Sequence, residues 1–123
     1  MKTKRLLVAD DSETILLLLE TRLRMAGYDV ATAEDGQQVL DALAAIPEGG
    51  APHVLLLDAM MPRKSGLEVL REIRAAGDRT PVLIVSAHRE HQDLRDAMSS
   101  GADGTFTKPL DWDALIERIE ELA

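Results

Sequence analysis

Acidic side chains stand directly after two short apolar runs of the sequence. Asp10 and Asp11 follow the run 6–9, and Asp58 follows the run 54–57. Carboxylate oxygens are hard ligands of the kind that Mg²⁺ prefers, and proteins usually hold this ion through one or two carboxylates together with phosphate oxygens. Three carboxylates that converge within a few ångströms repel one another strongly unless a cation is present. If the fold brings these residues together, they predict a divalent-cation site.

Ser86 and Lys108 occupy the same kind of position. Ser86 follows the apolar run 82–85, and Lys108 follows the short segment 105–107. An ammonium group contacts a phosphate as a point charge, and a hydroxyl can donate a hydrogen bond to it. A cation that neutralised an incoming phosphoryl group would leave one aspartate free as the nucleophile. The residue types therefore suit phosphoryl transfer to a carboxylate.

Each of these residues also has an ordinary interpretation. Asp11 alone is as well explained by helix capping, Ser86 alone by a turn, and Lys108 alone by a solvated surface position. The combination indicates a site, because one predicted topology would gather all of these strand ends at a single edge of a sheet.

Short apolar runs alternate with longer segments of helical periodicity along the whole chain. Asp35 with Gln38 three residues later resembles a capping box, and Ser12 and Asp111 are further candidate N-caps. The predicted strands are 6–9, 30–33, 54–57, 82–85 and 105–107. The predicted helices are about 13–26, 36–46, 67–76, 90–100 and 112–122.

The strand runs are continuously apolar rather than alternating, which is typical of a parallel sheet covered on both faces. Five strands alternating with five helices predict an α/β fold of the doubly wound (βα)5, flavodoxin-like kind, with strand order 2-1-3-4-5 and right-handed crossovers. A chain of 123 residues matches one domain, which we assign to residues 1–123. In such sheets, functional groups collect at the carboxyl ends of the strands, between the first and third.

Composition excludes several classes of function. The formal charge of −8, from 14 basic and 22 acidic residues, argues against direct nucleic-acid binding, which needs a basic surface. The absence of cysteine excludes disulfides and thiolate metal sites. The basic start precedes an apolar run too short for a signal peptide, and the leucine-rich stretch 15–19 is far shorter than a membrane span. We therefore expect a cytoplasmic protein without membrane contact.

Several segments together resemble the receiver domain of two-component response regulators, including the stand-alone chemotaxis type. They are Leu7–Asp11, Leu56–Pro62 with Gly66, Val85–Ala87, and Gly101–Asp103 leading to Lys108–Pro109. The resemblance covers essentially the whole chain. Each short motif is weak alone, but their combined spacing is specific to this family.

The resemblance implies a histidine kinase or a histidine phosphotransfer protein as the phosphoryl donor, and Asp58 as the phosphorylated residue. It implies that Mg²⁺ is held by Asp10, Asp11, Asp58 and the backbone carbonyl of Met60. Phosphate contacts are implied for Lys108, for the Ser86 hydroxyl and for the backbone of Ala87, with a cis peptide bond between Lys108 and Pro109.

The resemblance also implies an output surface and a hydrolysis site. Movement of Ser86 would carry the signal to a downstream protein through the fourth helix, fifth strand and fifth helix. Met60 and His88 take positions that tune hydrolysis of the phosphoryl group, although His88 is also explained as an exposed loop residue. The oligomeric state is expected to be a monomer or a weak homodimer. Since no effector domain follows Ala123, we expect either a stand-alone regulator or part of a longer chain.

One position departs from the family pattern. Many receiver domains carry Tyr or Phe three residues before the lysine, where this sequence has Thr105. Phe106 should point to the opposite face of its strand, into the core. We therefore expect signalling to depend on the loop after Ser86 more than on a rotating aromatic ring.

Several residues also allow other interpretations than a switch. Leu17 and Leu18 widen the apolar side of the first helix, which favours a broad buried face over a dimer or partner surface. Trp112 suits a partner anchor or a cover over the sheet edge.

An aspartyl-phosphate phosphatase would need a second Asp two residues after its nucleophile and a cap for substrate. A flavodoxin-like cofactor binder would need a Gly-rich or hydroxyl-rich phosphate loop after the first strand. The sequence has neither the features of the phosphatase nor the phosphate loop of the cofactor binder, so we expect an interaction module rather than an enzyme that turns over a substrate.

Overall fold

The structure is a computed structural model that describes residues 3–46, 50–87 and 91–123, and the side chains of residues 91–93 are outside this description. Five strands and five helices alternate along the chain, as the periodicity predicts. The strands are β1 (Arg5–Ala9), β2 (Asp29–Ala33), β3 (Val54–Asp58), β4 (Val82–Ser86) and β5 (Gly104–Thr107). The helices are α1 (Glu13–Met25), α2 (Gly36–Ala45), α3 (Gly66–Ala75), α4 (His91–Ser99) and α5 (Trp112–Leu122).

The strands form one sheet of order β2-β1-β3-β4-β5, and all four neighbouring pairs are parallel. The predicted fold class and strand order are thus confirmed. Parallel pairing brings every strand's carboxyl end to the same edge of the sheet. β1 and β3, which precede the predicted acidic cluster, are direct neighbours at this edge.

The core consists of two clusters, one on each face of the sheet, because successive side chains of a strand point to opposite faces. In β3, Leu55 and Leu57 enter one cluster, and Leu56 enters the other. The first cluster is covered by α2, α3 and α4 through Val39, Val69, Leu70, Ile73 and Ala97. The second is covered by α1 and α5 through Leu16, Leu19, Leu23, Leu115 and Ile119. Full burial of such side chains contributes about 1.5–3 kcal/mol each before the entropy cost of ordering the chain.

Side-chain caps begin the helices close to the predicted residues. Ser12 and Asp111 accept hydrogen bonds from backbone N–H groups three residues later, as expected. Asp35 also accepts from the Gln38 N–H, but the Gln38 side chain accepts from the Glu34 N–H, one residue before the cap. The complete reciprocal capping box occurs instead at Ser65, before α3.

Two apolar residues of α1 contradict the expected broad buried face. Leu17 is 66% exposed and Leu18 is 48% exposed, whereas only Leu16, Leu19 and Leu23 of this helix are buried. The interpretation of a wider buried face is therefore wrong, because the one-sided packing of α1 leaves only the narrower stripe against the sheet.

The aromatic residues near the last strand pack on the same side of the sheet. Phe106 contacts the second core cluster, as strand alternation predicts. Trp112 is half-buried against the same cluster, and the Arg22 guanidinium lies 5.1 Å from the centre of its ring. These contacts favour the interpretation of Trp112 as a cover over the sheet edge. Among the described residues, no helix is long and apolar enough to cross a bilayer.

Candidate functional site

Asp10 follows β1 and is held by its neighbours in a fixed orientation. Its Oδ1 accepts a hydrogen bond of 2.9 Å from the Ser12 N–H, and its own N–H donates to the Ala33 carbonyl over 3.2 Å. Only 2% of the residue is exposed. A buried carboxylate costs free energy unless charged or polar groups compensate it, so the second oxygen needs a strong partner.

Asp58 is the last residue of β3 and lies beside Asp10 because β1 and β3 are neighbours. Its Oδ1 accepts a hydrogen bond of 3.2 Å from the Met60 N–H, and the residue is 6% exposed. Gly66 approaches its backbone so closely that a Cβ at position 66 would overlap the Asp58 carbonyl oxygen. The Gly66 N–H also donates to the Ala59 carbonyl over 3.1 Å, which closes the loop after β3.

Three carboxylates meet at this edge. Asp10, Asp11 and Asp58 each offer one carboxylate oxygen, and these oxygens all lie within 4.8 Å of one another. Asp10 and Asp58 are buried, whereas Asp11 is exposed. An all-oxygen set with one open side suits Mg²⁺, which keeps several waters when a protein binds it.

Lys108 compensates the two buried carboxylates. Its Nζ donates to Asp10 Oδ2 over 2.7 Å and to Asp58 Oδ2 over 3.1 Å. The backbone N–H of Lys108 donates to the Ser86 carbonyl over 2.9 Å, and its peptide bond to Pro109 is cis, as expected. The end of β5 is thus fixed against β4, and the Lys108 ammonium group lies between the ends of β1 and β3.

Burial and charge perturb the protonation of this cluster. Burial raises the pKa of the Asp58 carboxyl, and the charge of Asp10 raises it further, although hydrogen bonds from the Met60 N–H and Lys108 oppose this. Burial alone would lower the pKa of the Lys108 ammonium, but its hydrogen bonds to Asp58 and Asp10 and their charges raise it overall. Lys108 therefore remains a cation at neutral pH.

The chain matches a known family over nearly its whole length. Residues 6–120 match the family model of the response regulator receiver domain. The chain belongs to this family. Response regulator MprA of Mycolicibacterium vanbaalenii is 36% identical over 118 residues, which are 96% of this chain and 49% of MprA. The chain therefore spans about half the length of the relatives of this type that it matches.

Solved receiver structures share the fold. The Francisella response regulator 1452 receiver domain aligns with a TM-score of 0.89 at 32% identity, covering 98% of this chain and 96% of that one. The chemotaxis response regulator CheY4 of Vibrio cholerae aligns with a TM-score of 0.86 at 25% identity, covering 99% of this chain and 100% of CheY4. The receiver domain is thus a signalling domain of the two-component type, a family that works with histidine kinases and generally binds Mg²⁺.

Ser86 and Ala87 lie at the rim of the receiver domain beside the acidic cluster. Ser86 is fully buried at the end of β4, one residue after Val85, whose register partner in β3 is Asp58. Ala87 follows it and is exposed. Met60, two residues after Asp58, is 61% exposed. Met60 thus contacts Asp58 through its N–H, and Ser86 and Ala87 directly follow the register partner of Asp58. His88 lies outside the described residues.

Thr105 and Phe106 occupy opposite faces of the receiver sheet. Thr105 pairs with Ile84, which belongs to the first core cluster, and Phe106 pairs with Val85, which belongs to the second. The position where many receiver domains carry an aromatic residue thus carries a half-buried threonine on the α4 side.

Sequence reasoning missed one pair of the receiver domain at this edge. Arg63, in the loop after β3, donates from Nε to Asp35 Oδ2 over 3.0 Å, and its NH2 lies 2.9 Å from the same oxygen. Asp35 stands out in the sequence as a helix cap, but Arg63 has no local signal. Only the packing of α2 beside α3 brings residues 28 apart into contact.

Proposed function

We propose that this receiver domain is a phosphorylation-dependent switch that accepts a phosphoryl group on Asp58. The observation that carries the proposal is the meeting of Asp10, Asp11 and Asp58 within 4.8 Å, with the Lys108 ammonium on two of them. This arrangement offers a carboxylate nucleophile, oxygen ligands for a dication and a positive charge for a phosphate. All three are required when a phosphoryl group is transferred to an aspartate.

The donor is a phosphohistidine of a histidine kinase or of a histidine phosphotransfer protein. An Asp58 carboxylate oxygen attacks the phosphorus, and the phosphorus–nitrogen bond to the donor imidazole breaks. The electron pair of that bond stays on the imidazole nitrogen. Hydrogen bonds from the Met60 N–H and from Lys108 fix the orientation of the Asp58 carboxylate before attack.

Mg²⁺ would be held by Asp10, Asp11 and Asp58 and by the backbone carbonyl of Met60. When bound, the ion neutralises charge that develops on the phosphoryl oxygens. Asp10 is pre-oriented for this role by the Ser12 N–H, since its other oxygen faces the cluster. The exposed carboxylate of Asp11 leaves the open side accessible to water. The same site would later catalyse hydrolysis of its own phosphoryl group.

Lys108, Ser86 and the Ala87 N–H would bind the phosphoryl oxygens. Recruitment of Ser86 would move the loop between β4 and α4 and change the surface formed by α4, β5 and α5, where the downstream protein binds. The Phe106 ring is packed into the second core cluster, which supports a switch that depends on this loop more than on a swinging ring.

Intact-mass analysis tests the site. The protein is incubated with Mg²⁺ and acetyl phosphate, and wild type is compared with Asp58→Ala. We expect one phosphoryl group on wild type and none on the variant. The matched control is Asp29→Ala, which removes an exposed carboxylate at the opposite end of the sheet and should leave labelling intact. Labelling that survives Asp58→Ala would overturn the assignment.

Structures with and without beryllofluoride, a phosphoryl mimic, test the switch. We expect Ser86 and the following loop to move while Phe106 keeps its contacts with the core. An inward swing of the Phe106 ring would contradict this mechanism.

A further inference from the structure

A second charged pair lies at the same edge as the acidic cluster but contacts none of its carboxylates. Arg63 directs two guanidinium nitrogens to one oxygen of Asp35, at 3.0 and 2.9 Å. Asp35 is only 7% exposed, whereas 58% of the Arg63 side chain is exposed. A buried, charged carboxylate fixes the position of its partner, because departure of the partner would leave the buried charge uncompensated.

Asp35 is itself fixed in place. Its other oxygen, Oδ1, accepts a hydrogen bond of 2.8 Å from the Gln38 N–H as the cap of α2. That hydrogen bond is the main reason that the pKa of Asp35 is lowered, and Arg63 lowers it further. The carboxylate therefore stays ionised at neutral pH and connects the start of α2 with the loop after β3.

The backbone reinforces this connection. The Gly36 N–H donates to the Lys64 carbonyl over 3.1 Å, and a Cβ at position 36 would overlap that carbonyl oxygen. The first turn of α2 therefore lies directly against the loop that contains Met60, Arg63 and Lys64.

Arg63 occupies a conformation that its residue type disfavours. Its φ is 65°, and the Lys64 N–H donates to the Pro62 carbonyl over 2.7 Å across it, which makes Arg63 the centre of a tight three-residue turn. A non-glycine residue at positive φ is less stable than in its usual conformations, because its Cβ approaches the following carbonyl oxygen. Glycine would remove that cost, so the backbone alone gives no reason for arginine here.

The sheet order explains what the pair could control. β2 and β3 flank β1, so Asp35 after β2 and Arg63 after β3 join two loops on either side of Asp10 and Asp11. Between Asp58 and Arg63 lies Met60, whose backbone carbonyl is the proposed fourth ligand.

We propose that Arg63 and Asp35 are a positioning pair, which holds the loop after β3 so that the Met60 carbonyl meets the divalent cation together with Asp10 and Asp58. The inference rests on the proposed function, because it concerns the affinity of the same metal site. Neither residue contacts the ion or the phosphoryl group. Their effect is to limit the positions that one ligand can adopt, and Mg²⁺ demands near-ideal geometry from its ligands.

Arg63→Gly separates this role from simple stabilisation. Glycine relieves the positive φ, which offsets the loss of the Arg63 contact with Asp35, so the midpoint of urea unfolding in chelator should change little. The Mg²⁺ dissociation constant, measured by calorimetry on the full chain, should rise on the order of tenfold. The rate of labelling by acetyl phosphate should fall at low Mg²⁺ and approach the wild-type rate at saturating Mg²⁺, since the nucleophile is unchanged.

Asp35→Asn gives an independent view of the same pair. Asparagine still caps α2 but carries no charge, so its Mg²⁺ affinity should fall as in Arg63→Gly, and the double variant should be no worse than either single variant. The matched control is Lys64→Gln, which removes the ion pair of the next residue in the same loop with Glu72, 2.7 Å long, and should leave Mg²⁺ affinity at the wild-type value.

The outcomes are distinguishable. If wild type binds Mg²⁺ more tightly than Asp58→Ala does, but Arg63→Gly keeps the wild-type affinity, the positioning pair alone is overturned. Affinity that falls equally in Lys64→Gln would also overturn it, because any loop contact would then suffice. If wild type and Asp58→Ala bind Mg²⁺ equally tightly, the proposed function and the pair are overturned together.

Discussion

Lys108 Nζ lies 2.7 Å from Asp10 Oδ2, although 98 residues separate the two in the sequence. The contact sets the end of β5 against the end of β1, across the acidic cluster. In this position the ammonium supplies the positive charge that the buried carboxylates need when no dication is bound. Lys108 and a bound dication would therefore stabilise the same carboxylates.

Lys108→Met tests this shared role. In chelator, the variant should lose about 2–4 kcal/mol of unfolding free energy, because Asp10 and Asp58 are left without their cationic partner. Saturating Mg²⁺ should restore most of that loss, and the gain in stability on adding Mg²⁺ should exceed the gain in wild type. Urea unfolding with and without Mg²⁺ measures both. As a control, Lys64→Met breaks an exposed pair and should cost about 1 kcal/mol or less. Equal Mg²⁺ gains in wild type and Lys108→Met would contradict this explanation.

Asp58→Asn should stabilise the protein at neutral pH in chelator. Because burial and then the charge of Asp10 raise the pKa of Asp58 above its ordinary value of 3.8, the folded state binds more protons than the unfolded state above that pH. Stability from this group therefore falls as pH rises from 3.8 through the raised pKa. Thermal melts should show a higher midpoint for the variant at neutral pH, by a few degrees, and a smaller difference near pH 4. A difference that does not change with pH would argue against a raised pKa.

His53 should make stability depend on pH at the amino end of the sheet. Its Nδ1 accepts a hydrogen bond of 3.0 Å from the Arg5 N–H. Burial lowers the pKa of His53 from its ordinary value of 6.5, and the charges of Arg5 and Lys4 lower it further. The unfolded state then binds more protons between the two values, so the stability is full above 6.5 and is lost as pH falls towards the lowered pKa.

His53→Asn provides the comparison, because its Oδ1 can accept from the same N–H without titrating. The wild type should lose more unfolding free energy than the variant between about pH 7.5 and pH 5. Parallel losses in the two proteins would exclude His53 as the source.

Gly66→Ala should damage both stability and the site. A Cβ there overlaps the Asp58 carbonyl oxygen, so either the strand end or the start of α3 must move. We expect a cost of about 2–4 kcal/mol by urea unfolding and slower labelling of Asp58 by acetyl phosphate. Gly27→Ala is the control: Gly27 has a φ of 98° but open space for a Cβ among the described residues, so it should cost about 1–2 kcal/mol and leave labelling unchanged. Equal costs in both variants would show that the close approach at Gly66 is relieved without strain.

Local patterns account for the features that the sequence predicted correctly. Periodicity and caps depend on residues within a few positions of one another, so β3, the Ser12 cap and the direction of Phe106 follow from short segments. The strand order follows from general rules on connection and handedness applied to those elements. The cluster of Asp10, Asp11 and Asp58 then follows, because parallel neighbouring strands end at the same edge.

Other features depend on backbone paths that no local pattern specifies. The exposure of Leu17 and Leu18 was decided by how α1 rotates against the sheet, and periodicity alone was ambiguous about the width of its buried stripe. The Arg63–Asp35 pair arises only when α2 and α3 pack side by side.

The sequence by itself thus determined which acidic, hydroxyl and basic residues follow the strands and which elements carry them, because residue type and local periodicity are properties of short segments. Only the tertiary structure decided that Lys108 bridges two carboxylates and that Arg63 joins the flanking loops. The physical reason is that a hydrogen bond requires its atoms within about 3 Å. Between residues distant in sequence, that distance is set by the sum of all the packing between them.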